Sequence, residues 1–214
     1  MKHDGFPLLK LEQVSKNFGG LRAVDQVDLS LESGERRAII GPNGAGKTTL
    51  FNLITRRFPS DSGRILFKGR AIDRLPPYQI WRLGISRTFQ VTSIFPRLSC
   101  VENVQRIGAV LSHGDRKCLE LAVALASEPE LLLLDEPTAG MAPKERFALI
   151  ALIQRLAQER GLTLLFTEHD MDVVFAAAQR ITVMHQGAVL AEGTPPEVRG
   201  NPEVQRVYLG WQRG

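Results

Sequence analysis

Polar and apolar residues alternate near the start of the chain. Leu9 and Leu11, then Val27, Leu29 and Leu31 interleaved with Asp28, Ser30 and Glu32, predict strands with one wet face. The stretch 16–24 between them, with Phe18 ahead of Gly19-Gly20, reads as a loop. The pattern then changes to unbroken apolar runs. Ala38-Ile39-Ile40, Leu131-Leu132-Leu133-Leu134 and Leu162-Thr163-Leu164-Leu165-Phe166 predict strands buried on both faces, as in a parallel sheet. Leu149, Leu152, Ile153 and Leu156 fall at helical spacing, and Gly161 closes that helix. Further helical stretches are expected after Thr49, after Pro76-Pro77, over 116–127, and into Tyr208-Leu209-Gly210. Short strands are expected over 64–70, 84–90, 181–184 and 188–192, with Gln186-Gly187 turning between the last two. Alternating strands and helices give an α/β core, with antiparallel strands at both ends of the chain.

One stretch organises the rest. Gly41-Pro42-Asn43-Gly44-Ala45-Gly46-Lys47-Thr48-Thr49 fits the phosphate-binding loop pattern, placed between a buried strand and a helix start. Its glycines let successive backbone N–H groups face one anion, and the helix N-terminus adds partial positive charge. Lys47 is suited to reach the β- and γ-phosphates and the Thr48 hydroxyl to ligate Mg²⁺. The chain is therefore expected to bind a nucleoside triphosphate.

In parallel sheets ligands sit at the carboxyl ends of strands, and three strands here end in polar residues. Ile40 leads into the loop, Leu134 into Asp135-Glu136, and Phe166-Thr167 into Glu168-His169. Asp135 is suited to hold Mg²⁺ through its hydration shell, and Glu136 to position and deprotonate a water. His169 at a neighbouring strand end is a third candidate. Phe18 reads either as an exposed ring that stacks on a base or as an aromatic packed on the core.

Composition narrows the setting. Twenty-seven basic against 23 acidic residues, a net charge of +4, are too mild and scattered to point to nucleic acid. Two cysteines, Cys100 and Cys118, form no metal spacing and no disulfide framework. The N-terminal residues carry no apolar core of a signal peptide, and no apolar run approaches the roughly eighteen residues of a membrane helix. A cytoplasmic protein is expected, unless a partner holds it at a membrane.

In order, the phosphate loop, Gln90, Leu111-Ser112-His113-Gly114-Asp115, Asp135-Glu136-Pro137 and His169 resemble an ABC-type ATPase, the nucleotide-binding subunit of an ABC transporter. The leucine-serine-x-glycine element separates that family from other phosphate-loop proteins. The likeness runs from about Leu9 to Gly210. Ser86-Arg87-Thr88-Phe89-Gln90, Asp135-Glu136-Pro137-Thr138-Ala139-Gly140-Met141 and Tyr208-Leu209-Gly210 are similar to the importer ATPases for branched-chain, hydrophobic amino acids, with urea importer ATPases close by.

The resemblance implies a P-loop NTPase core, a mostly parallel sheet with flanking helices, carrying an antiparallel β subdomain and a helical subdomain. One ABC-type ATP-binding domain would span 1–214: about 8–75 the antiparallel subdomain and phosphate loop, about 76–127 the helical subdomain, about 128–214 the rest of the core. It implies ATP and Mg²⁺ as ligands. Phe18 corresponds to the aromatic on adenine, Gln90 to a contact with Mg²⁺ or the water, Glu136 to the general base and His169 to the γ-phosphate contact. Ser112 and Gly114 would bind the ATP of a second ATPase subunit, identical or not, in a head-to-tail pair. Permease subunits in the membrane and, through them, an external substrate-binding protein are the implied partners, so the chain would lie on the inner face of the cell membrane. A soluble ABC ATPase acting outside transport is the competing class. A module that binds ATP without hydrolysing it is opposed by Glu136 and His169.

Three departures stand out. His113 and Asp115 replace the usual glycine and glutamine of the signature, as they do in the amino acid importer branch. Ala142 stands where many relatives carry an aspartate that links the two ATP sites. Only twenty residues separate Gln90 from Leu111, where the family has a lobe of several helices, so that lobe is expected to be shortened or partly missing. If the stretch is interrupted and not truly shortened, two consecutive residues between Glu102 and Leu111, near Arg106 to Gly108, would not be covalently joined, and their Cα atoms would lie well beyond the ~3.8 Å of a trans peptide.

Overall fold

The structure, a computed structural model, describes residues 6–88 and 113–209. Gln90, Leu111, Ser112 and Gly210, and the window around Arg106 to Gly108, lie outside the described residues.

Two sheets carry the chain. The first is antiparallel, in the order β2-β1-β4-β5, from β1 (Leu9–Phe18), β2 (Leu21–Leu31), β4 (Ser62–Phe67) and β5 (Arg70–Ala71). Here the structure corrects the expected loop over 16–24. Asn17 pairs with Arg22 and Phe18 with Leu21, leaving only Gly19 and Gly20 as the turn. The register of β1 against β2 shifts three times between Leu11 and Asn17, and Gln13 and Gln26 adopt positive φ. Such bulges break the two-residue period by which a strand is read, which is why this hairpin looks irregular in sequence.

The second sheet runs β10-β9-β3-β8-β7-β6. Its strands are β3 (Arg36–Ile40), β6 (Ile85–Arg87), β7 (Leu131–Asp135), β8 (Thr163–Thr167), β9 (Arg180–His185) and β10 (Ala188–Gly193). All neighbours are parallel except β9 and β10, which form a hairpin through Gln186 and Gly187, both at positive φ. Seven helices are described: α1 (Lys47–Ile54), α2 (Pro77–Arg82), α3 (His113–Leu125), α4 (Pro143–Arg160), α5 (Met171–Ala177), α6 (Pro195–Gly200) and α7 (Pro202–Leu209). Helix α3 takes in Gly114 and Asp115, so it begins ahead of the expected start at 116. None of the described helices is long and apolar enough to cross a membrane.

The apolar runs sort by parity. Leu131 and Leu133, with Ile39 and Leu165, face one core shared with the antiparallel sheet and α1. Leu132 and Leu134, with Ile40, Leu164 and Phe166, face a second core beneath α3, α4 and α5. Successive strand side chains point to opposite faces, so a strand covered on both sides must be apolar throughout. Arg37 is the buried polar exception in β3. It is buried and paired with Glu35 at 2.7 Å and Glu192 at 2.9 Å, which meets the cost of desolvating its guanidinium.

Candidate active site

Strands β3, β8 and β7 are adjacent, and so are their carboxyl ends. The phosphate loop, Glu168-His169 and Asp135-Glu136 therefore meet along one edge, with Arg87 at the end of β6 beside them.

The loop fits because two of its glycines touch backbone. A Cβ on Gly41 would lie 2.2 Å from the Met184 carbonyl oxygen, and one on Gly46 2.3 Å from that of Ala23. Gly46 is also the N-cap of α1 at φ +101°, a conformation that strains any L side chain. The β9–β10 turn ties the loop down: the Gly187 N–H donates to the Ala45 carbonyl (3.1 Å), and the Gly187 carbonyl accepts from the Asp25 N–H (2.8 Å). Helix α1 has no side-chain cap and no acidic residue in its first turn, so its N-terminal donors and partial positive charge suit an anion.

Lys47 is buried, and its Nζ donates to the carbonyls of Gly41 (2.7 Å) and Pro42 (3.0 Å). Burial holds this amine below its ordinary 10.5, a shift that the Glu136 and Asp135 carboxylates oppose. Thr48 is exposed at the head of the same helix.

At the end of β7, Asp135 pairs in register with Thr167 of β8 and is only 3% exposed. Its Oδ1 accepts from the Thr167 hydroxyl (2.7 Å) and its Oδ2 from Arg87 Nη2 (2.7 Å). Glu136 follows in the left-handed region, φ +49°. Its N–H donates to both the carbonyl and the hydroxyl oxygen of Thr167, each at 3.1 Å. That backbone kink turns the side chain toward β8, where Glu136 Oε1 lies 2.8 Å from His169 Nε2. The ring nitrogen donates to the carboxylate in its Nε2–H or protonated form. Buried Glu168 braces the same corner, accepting from the N–H (2.8 Å) and hydroxyl (2.7 Å) of Thr138.

Phe18 stands at the tip of the β1–β2 hairpin, 45% exposed, which rules out the core-packed alternative. The ring of Phe58 meets it edge-on, centroids 5.2 Å apart, and Lys16 Nζ lies 5.5 Å from its centre. Asp61 staples the tip by accepting from Lys16 Nζ (2.6 Å) and the Asn17 N–H (2.7 Å). The Lys16 bond is the main cause that holds this carboxyl below its ordinary value. Gly114 packs beside Met141, just ahead of α4, and Glu145 in its first turn. Ala142 caps α4, its N–H donating to Glu145 Oε2 at 3.2 Å.

Two contributors were not singled out from the sequence. Arg87 carries a signal only in its place at a strand end. Thr167 looks like any buried strand residue until its neighbour is known.

Comparison with known proteins gives a consistent picture. Residues 24–109 and 103–139 match the ABC transporter family, and residues 188–210 the branched-chain amino acid ATP-binding cassette transporter family. The high-affinity branched-chain amino acid transport ATP-binding protein LivG of Salmonella typhimurium is 37% identical, with 95% of this chain and 98% of LivG covered. BraF of Pseudomonas aeruginosa, of the same description, is 35% identical over the same shares. Both alignments run over 250 positions, more than the 214 residues of this chain, so these relatives carry residues with no counterpart here. The two pieces of the family match meet at 103–109, inside the short stretch between Gln90 and Leu111. Among solved structures, a nucleotide-free ATP-binding cassette from an ABC transporter superposes with a TM-score of 0.83 at 28% identity, covering 94% of this chain and 98% of that one. A cassette in its ADP conformation gives 0.82 at 29%, over 95% and 98%.

Proposed function

This chain belongs to the ABC transporter ATP-binding family, and from that membership we propose that it is the ATP-hydrolysing subunit of an importer for branched-chain and other hydrophobic amino acids. The observation that carries the reading is the Glu136–His169 pair at 2.8 Å on strand ends adjoining the phosphate loop. The substrate class rests on the match over 188–210 and on the LivG and BraF relatives.

The geometry of the described residues supports the following roles. The backbone over 41–49 and Lys47 hold the triphosphate, with Lys47 exchanging its two carbonyl partners for phosphate oxygens. Phe18 stacks on the adenine. Thr48, Asp135 and Gln90 would hold Mg²⁺; the first two are hard oxygen donors on neighbouring elements, as that ion prefers. When bound, Mg²⁺ neutralises charge on the β- and γ-phosphates. Glu136 takes the proton of the attacking water, held in place by its kinked backbone. His169 orients that carboxylate and contacts the γ-phosphate.

Ser112 and Gly114 serve the ATP of a second ATPase subunit, a pairing that excludes water and adds donors around the γ-phosphate. Relatives of this fold have been solved as dimers, one with ADP and phosphate bound (TM-score 0.75, 25% identity, 87% of this chain covered). The chain would reach the inner face of the membrane through permease subunits, which together with an external binding protein select the substrate.

The test is two-part. The purified protein with Mg-ATP should release phosphate at steady state. Reconstituted with the membrane subunits that co-purify with it, it should drive uptake of leucine, isoleucine or valine into vesicles. Uptake of urea alone, or purification without any membrane subunit, overturns the substrate assignment.

A further inference from the structure

Arg87 is a charged side chain of this cluster to which the proposed chemistry gives no role. It is nearly buried, its side chain 9% exposed, and it spans two elements. Nη2 donates to Asp135 Oδ2 at 2.7 Å, and Nη1 donates to Asn52 Oδ1 at 2.6 Å. The guanidinium also lies over the ring of Phe51, 5.6 Å from its centre. Phe51 and Asn52 belong to α1, and Asp135 ends β7.

Asn52 is four residues after Thr48, so the two lie on one face of α1, a turn apart. Thr48 and Asp135 are the two described residues suited to hold Mg²⁺, and they stand on separate elements. The planar fork of Arg87 joins those elements at fixed spacing, one branch on each. Thr167 holds the other oxygen of Asp135 at 2.7 Å, so the carboxylate is gripped from both sides.

We propose that Arg87 is a positioning residue for the metal: by bridging Asn52 and Asp135 it sets the gap between Thr48 and Asp135 in which Mg²⁺ is held. The inference rests on the reading of Thr48 and Asp135 as metal-holding residues. A lysine cannot replace the bridge, because a single ammonium on a flexible stem does not fix two partners in one plane. The contacts of Arg87 go to Asn52, Phe51 and Asp135 and not to the loop over 41–49, so its effect falls on the metal-dependent part of binding.

The test reads equilibrium binding. Fluorescent ATP is titrated with excess EDTA and again with Mg²⁺, and Mn²⁺ binding to the ATP-loaded protein is followed by electron paramagnetic resonance. Arg87→Lys and Asn52→Leu are compared with wild type, the second leaving the Arg87–Asp135 pair in place should the first fail to fold. Each should leave metal-free ATP affinity within about twofold and weaken Mn²⁺ binding by about tenfold, a loss near 1.4 kcal/mol. The double variant should be no worse than the weaker single one, since both cut the same bridge. Asp135→Asn is the control for the underlying reading. If Asp135→Asn weakens Mn²⁺ binding and neither bridge variant does, the proposal fails. If Asp135→Asn has no effect, the metal assignment itself fails. A bridge variant that loses metal-free and metal-dependent affinity equally would show a purely structural role and also overturn it.

Discussion

Replacing Glu136 by glutamine removes a proton acceptor and little else. The backbone at this residue is held at φ +49° by its N–H on two oxygens of Thr167, contacts that do not involve the side chain. Glutamine has the same length and branching, and its amide can still meet His169 Nε2 where Glu136 Oε1 does at 2.8 Å. Folding stability should therefore stay within about 0.5 kcal/mol of wild type, and ATP affinity within about twofold. The amide cannot accept the proton of water. A positioned general base contributes about 10²–10⁴ in rate. At about 1.4 kcal/mol per factor of ten, this is a barrier increase of roughly 3–5 kcal/mol. Steady-state phosphate release, with a fluorescent-ATP titration alongside, separates the two effects: kcat should collapse while binding persists. ATP should then trap a closed pair, visible by size-exclusion chromatography. Glu136→Gly makes a sharper contrast, because glycine relieves a left-handed residue that costs on the order of 1 kcal/mol. That variant should be at least as stable as wild type and just as inactive as the glutamine form. A Glu136→Gln protein hydrolysing within threefold of wild type would refute Glu136 as base.

Lys47→Ala should lose ATP affinity by at least about tenfold in a titration, since a charge-assisted contact to the phosphates disappears while the backbone cradle remains. The same variant tests the depressed amine. With its folded value below the ordinary 10.5, the unfolded chain holds more protons at Lys47 between the two values, so this residue makes stability rise with pH across that window. Wild type minus Lys47→Ala unfolding free energies should climb there; a flat difference contradicts the burial. Gly46→Ala drives a Cβ to 2.3 Å from the Ala23 carbonyl at φ +101°, and should cost about 1–3 kcal/mol by thermal or denaturant unfolding along with nucleotide binding. Phe18→Ala should weaken ATP by about 1–3 kcal/mol in calorimetry and leave tripolyphosphate binding unchanged. Equal losses for both ligands would mean that the ring does not meet the base.

Much of this site is local in sequence and was readable there. Gly41 to Thr49 is a continuous loop whose spacing dictates its shape, and the leucine run 131–134 announces a strand covered on both faces before any partner is known. The pairing of β7 with β8 was foreseeable only as a neighbourhood of strand ends. The hairpin at Phe18 reads as a loop in sequence because its bulges interrupt the alternation that marks a strand. What the tertiary structure alone decided are the bonds between segments far apart in the chain. Arg87 reaches Asp135 across 48 positions, Thr167 reaches it across 32, and Gly187 closes on Ala45. Nothing in the immediate sequence of Thr167 or Gly187 requires those contacts. They exist because the order β9-β3-β8-β7-β6 sets these strands side by side. Once paired in register, a hydroxyl, a carboxylate and a guanidinium at neighbouring ends are buried together and must satisfy one another. Periodicity and spacing report which face a residue shows, while strand order decides what that face meets.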